Sequence, residues 1–279
     1  MFETTAVTLG DLSFDVRSAG PDQGTPIVLL HGFPETGRSW NAVARALVDH
    51  GLRVLVPDQR GYSPGARPAD VSEYTLDKLV TDVIGLLDAF GLDTAHLAGH
   101  DWGAVVAWQT AVRHPDRILS LTAVSVPHPA AFGWALRNDP DQQARSSYFA
   151  LLREEGKAES VLLEDDARRL RAMYGQGVES DAVDEYVRTL SEPGALTGAL
   201  NWYRAMTRDF GDIPPVRVPA TYVWSTGDSA MGAAAAERCG EFVEADYEFV
   251  VVPDISHWVP EEAPGAVADA VRARVRKCR

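Results

Sequence analysis

Apolar residues recur along this chain in short continuous runs, separated by longer stretches in which apolar positions follow a helical spacing. The runs predict eight strands, over residues 6–9, 13–18, 27–30, 54–56, 95–98, 119–124, 220–224 and 248–252. Several are apolar throughout, as expected for central strands that are covered on both faces. The helical spacing predicts helices over residues 40–50, 76–90, 104–113 and 263–277. This alternation predicts an α/β protein with a mostly parallel eight-stranded sheet and helices on both faces.

The alternation breaks between about Pro129 and Pro219. This stretch is rich in Arg, Glu, Asp and Ala, and its apolar residues follow a helical spacing with no convincing strand. It predicts a helical insertion after the sixth strand, placed over the sheet as a lid. The expected organisation is therefore a core in two parts, residues 1–128 and 216–279, with a helical lid over residues 129–215.

A short glycine-flanked motif, GHDWG at residues 99–103, lies between a predicted strand and a predicted helix. A strand, a sharp Gly-x-nucleophile-x-Gly turn and a helix form the context of a nucleophile elbow, which usually carries serine. Here the nucleophile position holds Asp101. A carboxylate that attacks a saturated carbon displaces a leaving group and forms an alkyl ester, which water can then cleave. The motif therefore favours the opening of an epoxide or the removal of a halide over ester hydrolysis.

Such a nucleophile needs backbone N–H groups that stabilise an oxyanion when water attacks the ester. One donor should be the N–H of Trp102, the residue after the nucleophile. The loop at residues 31–35, directly after the third predicted strand, offers Phe33 as the second donor. The sequence also allows a cis Phe33–Pro34 peptide. Glu35 beside this loop could order a water or pair with a neighbour, and both interpretations stay open.

The second step needs a base and a group that orients it. His257 is the only histidine after the last predicted strand, which makes it the candidate base. Asp228, just beyond the seventh predicted strand, is the favoured orienting acid, and Asp254 and Asp246 are its rivals. The order along the chain is then Asp101, Asp228 and His257, that is nucleophile, acid and base.

The acidic composition narrows the range of partners. A formal net charge of −14 over 279 residues argues against nucleic acid and against anionic membranes. There is no basic, apolar leader at the N-terminus, and no apolar run approaches the roughly 18 residues that span a membrane. The two cysteines, Cys239 and Cys278, have neither a metal-binding spacing nor a disulfide framework. We therefore expect a cytoplasmic protein that acts on a small molecule with no metal or organic cofactor.

Four segments together resemble the α/β-hydrolase superfamily, and within it the epoxide hydrolase branch. They are HGFPE at 31–35, PDQRGYS at 57–63, GHDWG at 99–103 and SHW at 256–258, and the resemblance covers essentially the whole chain. It implies an α/β-hydrolase fold and the conversion of an epoxide to a vicinal diol.

The resemblance also implies two lid tyrosines that hydrogen-bond the epoxide oxygen. The segments SSYF at 146–149 and LNWYR at 200–204 put these roles on Tyr148 and Tyr203, with Tyr174 and Tyr186 in reserve. A neutral phenol is protonated at neutral pH and can donate to the developing alkoxide.

The expected substrate is an apolar epoxide. Phe33, Trp102 and Trp202 are its candidate contacts. The apolar lid and the residues beneath it support this expectation: Phe132, Trp134, Phe149, Leu151 and Trp202.

Two alternatives remain. A haloalkane or haloacetate dehalogenase on the same fold would use the same aspartate, with the Trp102 indole N–H donating to a halide. However, Phe33 stands where haloalkane dehalogenases usually place Asn, and Trp102 where haloacetate dehalogenases usually place Arg. A non-catalytic binding protein on the same fold would need neither a nucleophile nor a base, so the complete Asp101, Asp228 and His257 set argues against it.

Overall fold

The sheet has eight strands, all close to the predicted positions. The computed structural model describes residues 2–207 and 210–278. The strands are β1 Glu3–Leu9, β2 Leu12–Ala19, β3 Thr25–Leu30, β4 Leu52–Pro57, β5 Ala95–His100, β6 Ile118–Val124, β7 Ala220–Ser225 and β8 Tyr247–Val252. Their order is β1-β2-β4-β3-β5-β6-β7-β8. Strand β2 is antiparallel to β1 and β4, and the remaining pairs are parallel. The prediction of a mostly parallel eight-stranded sheet is confirmed.

Helices cover both faces of this sheet. They are α1 Asn41–Val48, α2 Leu76–Ala89, α3 Trp102–Arg113, α4 Pro129–Asn138, α5 Pro140–Arg145, α6 Phe149–Leu152, α7 Lys157–Met173, α8 Ser180–Leu190, α9 Ala195–Ala205, α10 Ala233–Arg238, α11 Val259–Glu262 and α12 Pro264–Lys277. Side chains of α1 and α12 pack with Ile27 and Leu29 of β3. Those of α2 and α3 pack with the alternate residues, Val28 and Leu30. Strand β3 is thus apolar along its whole length because both of its faces are covered.

The segment between β6 and β7 is helical. Helices α4 to α9 lie in it, and no strand forms among the residues described between positions 129 and 215. Helix α7 is interrupted at Glu164–Ala167, where Asp165, Asp166 and Ala167 adopt positive φ values. Within the part of the chain that the structure describes, no helix combines the length and apolarity needed to cross a membrane.

Candidate active site

Asp101 lies in a sharp turn between the last residue of β5 and the first of α3. Its φ of 51° and ψ of −123° are strained for a residue with a side chain. The turn lies so close to its surroundings that only glycine fits on either side. A Cβ at Gly99 would lie within 3.0 Å of Gly103 O, and one at Gly103 within 3.0 Å of Leu30 O. The sequence therefore folds here into the elbow that the motif predicts.

The two oxygens of the Asp101 carboxylate have different neighbours. Oδ1 accepts a hydrogen bond from the backbone N–H of Phe33 at 2.8 Å. Oδ2 lies 3.5 Å from Nε2 of His257. The Trp102 amide is the first of α3, where backbone N–H groups have no partner within the helix. The Phe33–Pro34 peptide is cis, as predicted.

Asp228 is the acid that reaches His257. Its Oδ1 lies 3.0 Å from His257 Nδ1, and Ser125 Oγ donates to its Oδ2 at 2.6 Å. The backbone N–H groups of Ala230 and Met231 donate to Oδ1 at 2.8 and 3.0 Å. Burial raises the pKa of Asp228, but the His257 charge and these hydrogen bonds outweigh it and lower the pKa to about 2. Asp228 is therefore ionised at neutral pH.

The rival acids lie elsewhere. Asp254 is exposed in the turn after β8, with a φ of 57°. Asp246 pairs with Arg274. The structure thus brings together the favoured set of Asp101, Asp228 and His257.

His257 has a carboxylate at each ring nitrogen. Burial lowers its pKa, but the charges of Asp228 and Asp101 raise it well above the usual 6.5. The site therefore favours an imidazolium as long as Asp101 is ionised.

A second buried pair lies behind His257. His100 Nε2 lies 2.9 Å from the carbonyl oxygen of His257, and its Nδ1 lies 3.0 Å from Glu35 Oε2. Because a carbonyl oxygen can only accept, Nε2 carries the hydrogen of that bond, and Nδ1 is the ring nitrogen that contacts Glu35. Of the two interpretations left open for Glu35, this geometry shows a pair with a neighbour.

Tyr148 and Tyr203 line a cavity of about 260 Å³, which Phe33, Asp101 and His257 also line. The rest of its lining comes from Arg145, Met173, Ser229, Ala230 and Trp258. Burial and the charge of Asp101 raise the pKa of both tyrosines, so both hydroxyls keep their protons. Tyr148 precedes α6 and Tyr203 belongs to α9, so the helical segment supplies both hydroxyls.

The two reserve tyrosines point their hydroxyls elsewhere. Tyr174 donates to the carbonyl oxygen of Pro34 at 2.6 Å, and Tyr186 donates to Glu261.

The predicted tryptophan contacts are not part of this cavity's lining. The Trp202 indole N–H donates to Arg60 O at 2.9 Å, and its ring packs edge-on against Trp102, with 5.8 Å between ring centroids. Trp102 lines a smaller adjoining space together with Phe132 and Phe149.

Sequence reasoning did not assign roles to Ser125 and His100. Ser125 follows β6 with a φ of 68° and belongs to no recognisable motif. His100 lies inside the elbow motif, which was the available signal for it.

Comparison with known proteins identifies the family. A sequence profile described as the alpha/beta hydrolase fold matches residues 25–264. The chain belongs to the α/β-hydrolase family. This hydrolase is 34% identical to the AB hydrolase superfamily protein YfhM of Bacillus subtilis, over 94% of this chain and 93% of the relative. It is also 34% identical to Epoxide hydrolase A of Mycobacterium tuberculosis, over 90% of each chain.

A solved structure agrees with the sequence relatives. The crystal structure of Epoxide Hydrolase A from Mycobacterium thermoresistibile is 27% identical, with a TM-score of 0.86 over 99% of this chain and 98% of that one. These relatives assign the chain to the epoxide hydrolase branch of the family. Among the described residues of this hydrolase, no group of three or more His, Cys, Asp or Glu side chains is placed to hold a metal ion.

Proposed function

We propose that this hydrolase converts epoxides to vicinal diols through an alkyl ester on Asp101. The observation that carries the proposal is that the two oxygens of the Asp101 carboxylate have different neighbours at the edge of the cavity. Oδ1 accepts from the Phe33 N–H, while Oδ2 lies 3.5 Å from His257 Nε2. Two of the relatives above are named epoxide hydrolases, which supports the same activity.

In the first step, Asp101 Oδ2 attacks one ring carbon of the epoxide and the bond from that carbon to the ring oxygen breaks. The electron pair goes to the ring oxygen, which Tyr148 and Tyr203 hold by hydrogen bonds. One of the two tyrosines donates its proton to this oxygen and regains a proton when Asp101 returns to a carboxylate at the end of the second step. Their raised pKa keeps both hydroxyls protonated, as this role requires. General-acid assistance of this kind contributes about 100- to 10,000-fold.

In the second step, water attacks the ester carbonyl carbon. The bond from that carbon to Oδ2 then breaks, and the diol leaves with Oδ2 as one of its hydroxyl oxygens after it takes a proton from the His257 imidazolium. The carbonyl oxygen is Oδ1, which already lies against the Phe33 N–H, and the Trp102 N–H is the proposed second donor. His257 takes the proton from water, and Asp228 stabilises the resulting imidazolium. Ester formation removes the negative charge of Asp101, one of the two charges that raise the pKa of His257. The esterified enzyme therefore favours the neutral imidazole that can accept a proton.

We also propose that the helical segment over residues 129–215 is a lid on a core formed by residues 1–128 and 216–279. The lid supplies Tyr148 and Tyr203, and the core supplies Asp101 and His257. The cavity is mostly apolar, and about 260 Å³ is below the roughly 300–1,000 Å³ of ligand pockets in general. A small, apolar epoxide fits these dimensions. The free cysteines support a cytoplasmic location.

The test is to trap the ester. In His257→Gln, Asp101 should still attack but the ester should persist, so mass spectrometry after incubation with an epoxide should show a gain equal to the whole epoxide. Peptide mapping should place this mass on the segment with residues 99–103. The double variant with Asp101→Asn serves as the control and should stay unmodified.

The same assay separates the alternative activity. A haloalkane would add only its alkyl group, because the halide leaves. Halide release by the wild type, with no diol from any epoxide, would assign the enzyme to the dehalogenases. The Trp102 indole, which a dehalogenase would use, here interacts with the hydroxyl of Tyr203.

A further inference from the structure

One positively charged side chain lies at the edge of a cavity that is otherwise mostly apolar. Arg145, the last residue of α5, lines the cavity beside Ser229 and Ala230. Apart from Arg145, the carboxylate and imidazole side chains among the described lining residues are those of Asp101 and His257, and both have a role in the proposed reaction. The chain as a whole carries a net charge of −14. A cation at this position makes the edge of the cavity more favourable for an anion than the net charge alone suggests.

The guanidinium is held in place with donor capacity left over. Nη1 donates to the carbonyl oxygen of Asp228 at 2.6 Å, and Nε donates to Asp141 Oδ2 at 2.6 Å. Gln142 of the same helix donates to Ala230 O at 2.8 Å and accepts from the Gly232 N–H at 2.9 Å. Within the described chain, Nη2 of Arg145 makes no hydrogen bond or ion pair.

The ion pair with Asp141 leaves Arg145 able to attract a further anion. The side chain of Asp141 is 59% exposed and that of Arg145 is 32% exposed, so water and salt screen their attraction. A ligand carboxylate at the cavity side of the guanidinium would therefore still meet a cation.

We infer that this site prefers small epoxides whose apolar body ends in a carboxylate, with Arg145 binding that carboxylate. The inference rests on the proposed function and adds the substrate class to it. The tyrosines hold the epoxide oxygen, the apolar walls take the hydrocarbon body, and the free Nη2 group donates a charge-assisted hydrogen bond. Such a bond on a partly exposed arginine should improve kcat/KM by roughly tenfold over a neutral isostere.

The competing explanation is that Arg145 only ties α5 to the loop of Asp228. Loss of this tie would slow neutral and anionic substrates alike. The discriminating quantity is therefore the ratio of kcat/KM between two substrates that differ only in charge.

Suitable probes are 4-(oxiran-2-yl)benzoate and its carboxamide, 4-(oxiran-2-yl)benzamide. The wild type should prefer the benzoate. Arg145→Gln should lower that preference by roughly tenfold, mainly through KM of the benzoate. Arg153→Gln is the matched control, because Arg153 lies in the same helical segment and donates to Met206 O at 3.2 Å but does not line the cavity. It should leave the ratio unchanged.

A second variant covers the case in which Arg145→Gln fails to fold. Asp141→Asn removes the exposed carboxylate that competes for Arg145, so it should increase the preference for the benzoate. Rising sodium chloride should weaken that preference in the wild type.

Binding of the two diol products, measured by calorimetry, tests the site without turnover. If neither epoxide is hydrolysed, the proposed function fails. The anion site would still be supported if the wild type binds the diol of the benzoate more tightly than the diol of the carboxamide, and if Arg145→Gln abolishes this difference. The other outcome is that the carboxamide is hydrolysed, but Arg145→Gln changes neither the kcat/KM ratio of the two epoxides nor the relative affinity of the two diols. The inference is then overturned and the proposed function stands.

Discussion

The charge on Asp101 adds to that of Asp228 in favouring a protonated His257, because the Asp101 and His257 side chains are 3.5 Å apart in a buried site. Burial alone would lower the pKa of His257. The charges of Asp228 and Asp101 reverse that effect and raise it well above 6.5. In the proposed mechanism, the nucleophile Asp101 thus contributes to the protonation state of His257, the base that later hydrolyses its ester.

Neutralising the nucleophile should expose this dependence. In Asp101→Asn, the pKa of His257 should fall, because Asp228 is then the only carboxylate at the ring. Side-chain NMR of the histidines across a pH series would measure the change, with the exposed His50 as internal reference. An unchanged His257 titration would contradict the coupling on which the second step depends.

The triad residues were predictable because each follows the end of a predicted strand, and the carboxyl ends of parallel strands meet at one edge of a sheet. Glu35 and His100 are different. They are 65 positions apart, and their 3.0 Å contact depends on how the loop after β3 packs against β5. Ser125 joins Asp228 and His257 with no sequence signal at all.

Among the elements, the elbow between β5 and α3 leaves no room for a side chain at either of its glycines. Gly103 packs its backbone against the carbonyl oxygen of Leu30 at the end of β3. No rotamer can relieve a clash between a Cβ and another backbone, so an added methyl group must push α3 away from β3.

Gly103→Ala should accordingly destabilise the protein by more than about 3 kcal/mol or prevent soluble expression. Gly265→Ala is the matched control, since a Cβ there meets nothing within 4 Å near the start of α12. It should leave stability unchanged or raise it by up to about 1 kcal/mol. Urea unfolding measures both, and wild-type stability in Gly103→Ala would refute the packing argument.

The central strands, such as β3 and β7, were predictable because cover on both faces makes them largely apolar. Helix α10 over Ala233–Arg238 was missed, since its run of alanines carries no contrast between apolar and polar positions. The positive φ values of Asp165, Asp166 and Ala167 inside α7 also have no signal in the spacing of apolar residues.

At the scale of the whole molecule, the contact between Asp228 and His257 links the segments that follow β7 and β8. The hydrogen bond from Ser125 to Asp228 links the segment after β6 to them. The pair therefore makes stability depend on pH. The folded pKa of Asp228 is about 2 against an ordinary 3.8, so its contribution is present above pH 3.8 and lost as the pH falls towards 2. That contribution is about 2 kcal/mol. The raised pKa of His257 adds stability below pH 6.5 that is lost as the pH rises through the folded value.

Comparison of the wild type with Asp228→Asn should isolate this effect, because both proteins share every other titrating group. The difference in unfolding free energy should be largest between about pH 4 and 6.5 and should shrink on either side. Urea unfolding at a series of pH values gives the curve. A difference that stays constant with pH would show that the pair does not contribute in this way.

The attachment of α5 to the Asp228 loop has a consequence for redesigning this enzyme. Gln142 and Arg145 both donate hydrogen bonds to carbonyl oxygens of that loop, so substitutions at either residue should disturb the placement of Asp228. Met173 also lines the cavity, but its recorded bond is made by its backbone carbonyl, which accepts from the Trp258 indole at 3.2 Å. A substitution of its side chain therefore removes no hydrogen bond to the loop of Asp228. Mutant libraries aimed at new selectivity should therefore begin at Met173, where the shape of the cavity can be changed without loss of a hydrogen bond that positions Asp228.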